Sequence, residues 1–307
     1  MNYRRKVTVI AGCVLVVSLA ASCVALRQVD RLRPRATLKE VLFVNSPDLV
    51  RRFSLGYNGL MACIYWTRAV QYFGPRYQHE NRDFSLLAPL LNITTHLDPH
   101  LTIAYEFGAS FLSPKPPFGA GEPERAVELM QYGIQNNPKN WRLYYDLGFV
   151  YYMDLQDYKD AAETFERGSQ IPHAHPFLKI LAAQMAQHAG EYQMAQMLWS
   201  ATYEGTNDKQ IKKNAIEHLR ALQVDEQVER LQKMVTAFGE RTGHLPSSLD
   251  ELAHASRLPG IPTDPDGEPY ELTPEGRVEV HDPDNFPFAT KGLPPGYTPK
   301  PKFHTED

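Results

Sequence analysis

The amino-acid sequence predicts a mainly α-helical protein made of repeated antiparallel helix pairs, with an apolar segment at its N terminus and a small helix-and-hairpin unit near its C terminus. Apolar residues recur every three or four positions over residues 54–222, which is the period of an α-helix. No charged residue interrupts residues 7–26. Prolines become frequent after His244, where the helical period stops, and this change marks a separate, smaller unit.

The N-terminal apolar segment is long enough to cross a bilayer. Its 20 residues span about 30 Å as a helix, which is the thickness of the hydrocarbon core. A single transmembrane helix within residues 1–30 is one interpretation. A lipoprotein signal with Cys23 as the lipidated residue is the second, although the usual Leu three positions earlier is Ala20. A cleaved signal peptide is the third.

Basic residues flank this segment on both sides, so the positive-inside rule does not choose its orientation. The residues are Arg4, Arg5 and Lys6 before it and Arg27, Arg31, Arg33 and Arg35 after it. A short basic N-terminal tail favours a cytoplasmic N terminus. We therefore expect a bacterial inner-membrane protein with a periplasmic body, or alternatively a lipoprotein, in which residues 31–53 connect the anchor to the body.

Charge and cysteine content exclude several classes of protein. The net charge of −4 and the pI near 6.3 give no indication of nucleic-acid binding. Cys63 is the one cysteine outside the N-terminal segment, so the body has neither an internal disulfide nor a cysteine-based zinc cluster.

A period of 34 residues organises the centre of the chain. Residues of similar type recur at this distance, and small residues match in the same register. The matched pairs are Pro138 and Pro172, Leu147 and Leu181, Gly148 and Ala182, Tyr151 and Met185, Tyr158 and Tyr192, Ala161 and Ala195, and Phe165 and Trp199.

This period and order of residues resemble the tetratricopeptide repeat (TPR). The resemblance covers residues 54–222, is strongest in the two central repeats, and implies an α-solenoid of antiparallel helix pairs. In such a repeat Gly148 or Ala182 lies where the two helices approach closely, and prolines separate one repeat from the next. An upstream repeat contains a loop insertion at residues 113–123.

The resemblance also implies a concave groove lined by the first helix of each repeat. A protein or peptide partner is expected there, and the aromatic residues suit an apolar segment. The predicted groove residues are Thr102, Tyr105 and Ala109 in one repeat, Arg142, Tyr145, Phe149, Tyr152 and Met153 in the next, and Lys179, Ala183 and Gln187 in the third.

The C-terminal unit, residues 223–281, is predicted to contain a helix and a β-hairpin. Its pattern resembles the C-terminal part of type II secretion major pseudopilins, whereas the N-terminal segment lacks the pilin cleavage pattern. That resemblance makes Asp264 and Asp266 weak calcium candidates, although two carboxylates on a turn are usually turn formers. Residues 282–307 are predicted to be extended or disordered. The matching residues are Leu258, Pro262, Asp264, Pro265, Gly267 and Tyr270.

No motif for catalysis, phosphate binding or metal binding is found in the sequence. We therefore expect a membrane-tethered protein-binding scaffold in a bacterial envelope assembly, related to secretion or pili through the pseudopilin-like unit, with no enzymatic activity and no cofactor. Two alternatives are a lipid or small-molecule carrier that uses the concave face, and an accessory enzyme whose site has no recognisable motif.

Overall fold

A computed structural model describes Leu15, Ser18 and Ser22 together with residues 46–78, 83–258 and 260–297. It divides into two units, Met1–Asn45 and Ser46–Asp307. In the first unit the three described residues are helical. The rest of the predicted anchor, including Cys23, lies outside the described residues. No helix within the described part is both long and apolar enough to cross a membrane.

The second unit is mainly α-helical, which confirms the predicted fold class at that level. Its described residues form eleven α-helices and one two-stranded antiparallel sheet. The elements are α1 (Pro47–Phe53), α2 (Asn58–Gln78), α3 (Leu87–Leu97), α4 (Thr102–Leu112), α5 (Pro123–Asn136), α6 (Trp141–Phe149), α7 (Tyr158–Ser169), α8 (Phe177–Ala189), α9 (Tyr192–Gly205), α10 (Lys209–Thr242), α11 (Leu249–Ser256), β1 (Glu271–Leu272) and β2 (Val278–Glu279).

Consecutive helices from α2 to α10 pack against one another. Short connections place neighbouring helices side by side. The link between α8 and α9, for example, is Gly190 and Glu191, and Gly190 ends α8 in the left-handed region at φ 75°. The insertion at residues 113–123 forms the loop between α4 and α5, as predicted, and ends at Pro123 in the first turn of α5.

Residues matched by the 34-residue period share the same environment. The matched pairs between Leu147 and Trp199 are at most 9% exposed except Tyr158 and Tyr192, which are both half-buried, and Phe165 and Trp199 are completely buried. Pro138 and Pro172 lie in the loops that precede α6 and α8. The period therefore reports equivalent packing positions in two successive helix pairs.

Glycine is required where α6 crosses α7. A β carbon on Gly148 would lie 2.4 Å from Cε1 of the Phe165 ring. The predicted close approach at Gly148 is thus confirmed. Glycines in α5 and α7 allow equally close contacts. A β carbon on Gly133 would lie 2.7 Å from the ring of Tyr105, and one on Gly168 would lie 2.7 Å from Cβ of Tyr144.

Helix α10 is 34 residues long and continues without a break through the predicted boundary at residues 222 and 223. It begins where the carboxylate of Asp208 accepts hydrogen bonds from the amides of Gln210 (2.8 Å) and Ile211 (3.2 Å). No proline or glycine occurs from Lys209 to Phe238. The N-terminal part of this helix packs on α9 and the C-terminal part on the hairpin and α11, so one element serves both regions.

The sequence predicts an extended or disordered tail, and the described part of it, residues 282–297, is extended and packed. This segment has little regular structure but is packed against α10, with Phe286 1% and Ala289 6% exposed. The amide of Val280 donates to the carbonyl of Gly292 over 2.9 Å. Buried apolar side chains help to hold this extended chain in place. Residues 298–307 lie outside the described part.

Candidate functional site: an aromatic groove between α4 and α6

A pocket of about 490 Å³ lies between α4, α6 and the start of α8. A second pocket of about 290 Å³ shares Ser110, Tyr145 and Asp146 with it, so the two form one groove. We call this the α4–α6 groove. Its first pocket is lined by Glu106, Phe107, Ser110, Trp141, Arg142, Tyr145, Asp146, His175 and Phe177, and its second adds Phe149, Met153 and Asp154 among others.

Helical spacing explains why α6 supplies most of this surface. Arg142, Tyr145, Phe149 and Met153 are three or four residues apart, which places them on one helical face. The side chain of Asn140 caps the helix by accepting a hydrogen bond from the Arg142 amide over 3.2 Å. A π-helical turn, Val150–Leu155, then prolongs α6.

Aromatic rings form a continuous row along the groove. The ring centroids of Tyr145 and Phe149 are 4.8 Å apart, and those of Phe149 and Tyr152 are 6.2 Å apart. Phe149 also meets the buried ring of Phe165 edge-on at 5.4 Å. The aromatic wall is therefore supported by the core and keeps a fixed shape.

Two carboxylates face the groove beside these rings. Among the described residues, the side chains of Glu106 and Asp146 have no hydrogen bond or ion pair. Burial raises the pKa of Asp146 from its ordinary 3.8 to about 7; the charge of Glu106 adds to this rise, and Arg142 opposes it. The Arg142 guanidinium lies over the ring of Trp141, 4.8 Å from its centroid. The groove thus combines apolar surface with incompletely neutralised negative charge.

We expect Asp146→Asn to increase the free energy of unfolding by about 1 kcal/mol at pH 8, a value reduced from that of the full pKa shift because the side chain is partly exposed. The unfolded chain loses this proton near pH 4, whereas the folded chain keeps it until about pH 7. Stability therefore falls as pH rises through this interval. Urea unfolding at pH 4 and pH 8 checks the expectation.

Exposed Glu163→Gln on α7 is the control for this measurement, and its effect should be small at both pH values. An effect of Asp146→Asn that is equal at pH 4 and pH 8 would contradict the assignment of the raised pKa.

The structure brings together part of the predicted groove. Arg142, Tyr145, Phe149 and Met153 line it, and Ala109 lies at its second pocket. Tyr152 is half-buried at the end of the aromatic row. Lys179 is exposed on α8 outside the described pockets, and Thr102 is half-buried. Ala183 and Gln187 are core residues, 0% and 3% exposed.

The prediction that Tyr105 lines the groove is wrong, because its side chain is completely buried. Its hydroxyl donates to the carbonyl of Pro99 over 3.1 Å, as that of Tyr144 donates to the carbonyl of Pro138 over 3.3 Å. Tyr105 is thus equivalent to Tyr144, whereas the sequence register paired it with Tyr145. The α4 residue that faces the groove is the one after Tyr105, namely Glu106.

Sequence reasoning missed Glu106 and Phe107 for this reason. It also missed Trp141 and Asp146, which lie on α6, where the predicted register was correct. A proline followed six positions later by a tyrosine, as in Pro99–Tyr105 and Pro138–Tyr144, is the signal that gives the correct register. The distance between Pro99 and Pro138 differs from 34 residues because the loop insertion after α4 changes the length of that repeat.

A second polar cluster is buried where α8, α10 and the C-terminal segment meet. The fully buried carboxylate of Asp225 accepts hydrogen bonds from the Gln187 amide (2.8 Å), the Thr290 amide (2.7 Å) and hydroxyl (2.9 Å), and the Lys291 amide (2.8 Å). Burial raises its pKa and these hydrogen bonds oppose the rise. The cluster joins elements of the fold and opens into none of the described pockets.

His218 belongs to the same region but is not a candidate catalytic base. Its ring is stacked between those of Trp199 (3.9 Å) and Phe288 (4.0 Å). Burial lowers the pKa of His218 to about 3, with His188 adding to the effect. The imidazole is therefore neutral at physiological pH and packs as an aromatic ring.

The two calcium candidates serve the turn that contains them. The carboxylate of Asp264 accepts hydrogen bonds from the amides of Asp266 (2.8 Å) and Glu268 (3.1 Å), and that of Asp266 pairs with Arg220. Within the described ranges, no group of three or more His, Cys, Asp or Glu side chains is placed to hold a metal ion.

Comparison with known proteins gives no further guide to function, because no family model matches the chain and no curated protein or solved structure is significantly similar to it. The α4–α6 groove combines concave shape, aromatic surface and unpaired charge, and it is therefore the candidate functional site.

Proposed function

We propose that this protein is a membrane-tethered scaffold whose body is a TPR-like α-solenoid and whose α4–α6 groove binds a segment of a partner protein. The aromatic row along the groove is the observation that carries the proposal. Rigid aromatic side chains on a concave surface provide large contact area at small entropic cost, which is typical of protein-binding sites.

The 34-residue period supports the solenoid part of the proposal. Matched positions are buried alike in two successive helix pairs, and glycines allow the close helix contacts that a TPR-type pair needs. The apolar run at residues 7–26 supports the tether, with residues 27–45 as the connector and the periplasmic side of a bacterial inner membrane as the site of the body. A role in a secretion or pilus assembly is supported by the pseudopilin-like sequence of the C-terminal unit.

The shape of the groove favours a peptide over a carried lipid or small molecule. Its rim is open to water, since Phe177 is 43% exposed and Arg142 and His175 are exposed as well. A carrier normally encloses most of its ligand in a cavity. An open groove instead fits an extended or helical segment that continues beyond the site on both sides.

Groove variants test this proposal. We expect Phe107→Ala combined with Trp141→Ala to reduce partner recovery at least about tenfold, since buried aromatic contacts at interfaces contribute roughly 2 kcal/mol or more each. Tagged full-length protein is purified from mild-detergent extracts of its native membranes, and co-purifying proteins are quantified by mass spectrometry.

Met197→Ala is the matched control, because Met197 is 56% exposed on α9 and lies outside both pockets. It should retain the partner fully. Circular dichroism establishes that both proteins remain folded. Equal recovery with the groove variant, or isolation of the chain alone in every detergent, would refute the scaffold proposal.

A further inference from the structure

Large apolar side chains are exposed together at the corner between α1 and α2. Six residues within a stretch of 16 are between 44% and 85% exposed, whereas isolated exposed apolar residues are common on any protein surface. We call this set the α1–α2 apolar corner; its residues are Leu49, Phe53, Leu55, Tyr57, Leu60 and Ile64.

Helix geometry aligns these side chains. Leu49 and Phe53 are four residues apart on α1, as are Leu60 and Ile64 on α2, so each pair lies on one helical face. Leu55, in the turn between the helices, is 85% exposed and has φ 50°. A non-glycine residue in this region is conformationally unfavourable. The turn therefore retains an exposed leucine that is unfavourable both for its backbone and for its contact with water.

The charge around the corner is basic. Residues 46–78 contain four arginines and one aspartate. Residues 1–78 contain 12 basic residues (Lys or Arg) and 3 acidic residues (Asp or Glu). Residues 79–307 contain 20 basic and 33 acidic residues. The chain as a whole has a net charge of −4, so its positive charge is concentrated at the N-terminal end.

We propose that the α1–α2 apolar corner inserts into the headgroup region of an anionic bilayer and forms a second membrane contact beside the anchor. Exposed leucine, phenylalanine and tyrosine side chains with neighbouring arginines are the composition that binds such an interface. Anionic lipids attract the basic end and repel the acidic remainder, and this gives the body a defined orientation.

The position of the corner in the chain favours a lipid surface over a protein partner. The apolar run proposed as the anchor ends at Leu26, and residues 27–45 separate it from Ser46. A chain of this length reaches at most about 65 Å, so an anchored protein keeps the corner near the bilayer at all times. In this respect the inference rests on the proposed tether.

A fluorescent residue tests the insertion in the full-length protein. Dansylalanine replaces Leu55 in one variant and, as the control, Ile216 in another; Ile216 is 43% exposed on α10, outside the α1–α2 apolar corner. Both are reconstituted into vesicles of phosphatidylcholine and phosphatidylglycerol that carry nitroxide-labelled lipids. We expect a blue-shifted emission at position 55 and quenching at least threefold stronger than at position 216.

Three further outcomes make the result decisive. Arg52→Glu with Phe53→Ser, which changes exposed side chains only, should reduce quenching at position 55 to the level at position 216. A blue shift without nitroxide quenching would show that protein covers the corner and would overturn the proposal. Equal, water-like emission at both positions would also overturn it.

Carbonate extraction separates this proposal from the proposed tether. If the protein resists extraction while position 55 remains unquenched, the tether survives and the docking surface fails. If carbonate releases the protein, although position 55 is quenched before extraction, the tether fails and the docking surface survives.

Discussion

Replacing Gly148 by alanine is expected to lower the free energy of unfolding by about 3 kcal/mol, at the upper end of the range for overpacked cores. The added β carbon would lie 2.4 Å from Cε1 and 2.7 Å from Cδ1 of the Phe165 ring. Phe165 is completely buried and is in ring contact with Tyr145 and Phe149, so it has no free space into which to move. Urea unfolding followed by circular dichroism measures the effect.

Gly239→Ala is the matched control for this substitution. Gly239 lies within α10, and a β carbon there would make only ordinary contacts, the nearest at 3.6 Å from Cδ2 of Leu245. Alanine is the better helix former, so we expect a gain of about 0.5–1 kcal/mol there. Phe165→Leu combined with Gly148→Ala should restore part of the lost stability. A stabilising effect of Gly148→Ala would show that the two helices are not held apart by contact at this point.

Asp225→Ala is expected to lower the free energy of unfolding by at least about 3 kcal/mol, because each buried donor left without an acceptor costs about 1–3 kcal/mol. The carboxylate accepts from Gln187, Thr290 and Lys291, which lie on α8 and on the C-terminal segment. Loss of these hydrogen bonds should release residues 286–293 from α10. Native-state hydrogen exchange should therefore show lost protection of the Thr290 and Lys291 amides.

The isosteric Asp225→Asn variant separates loss of hydrogen bonds from loss of volume. Its remaining side-chain oxygen accepts from the two backbone amides, whereas its amide nitrogen no longer accepts from Gln187. We expect a smaller loss than for alanine, with the Thr290 and Lys291 amides still protected. Unchanged protection of these amides in Asp225→Ala would show that the apolar contacts of Phe286 and Ala289 hold the segment without the carboxylate.

Sequence reasoning predicted the helices well because their cause is local. The period of apolar residues, the prolines at Pro138 and Pro172 and the small residue at Gly148 each act through near neighbours or through one helix crossing. The same reasoning placed Tyr105 in the groove, because side-chain direction depends on the exact start of a helix. That start is fixed in the loop before α4, where Pro99 accepts the tyrosine hydrogen bond.

The packing of the C-terminal segment was not predicted, for a different reason. A high proline content excludes helix and strand, but it does not exclude packing. Phe286 and Phe288 are the apolar residues that bind the segment to α10, and their partners His218 and Val228 lie at least 58 positions earlier in the chain. Such distant contacts have no local pattern, so periodicity does not reveal them.

The C-terminal segment covers one end of the stacked helices. We therefore expect the body to begin unfolding at the other end. Phe288 lies on His218 and accepts a hydrogen bond from Gln187, so α8–α10 open only after this segment has left. At the other end, Leu60 and Ile64 of α2 remain exposed. In an array stabilised by neighbour contacts, the less covered end opens first. Under the proposed membrane tether, mechanical tension would enter the body at that same end, at the first helix pair.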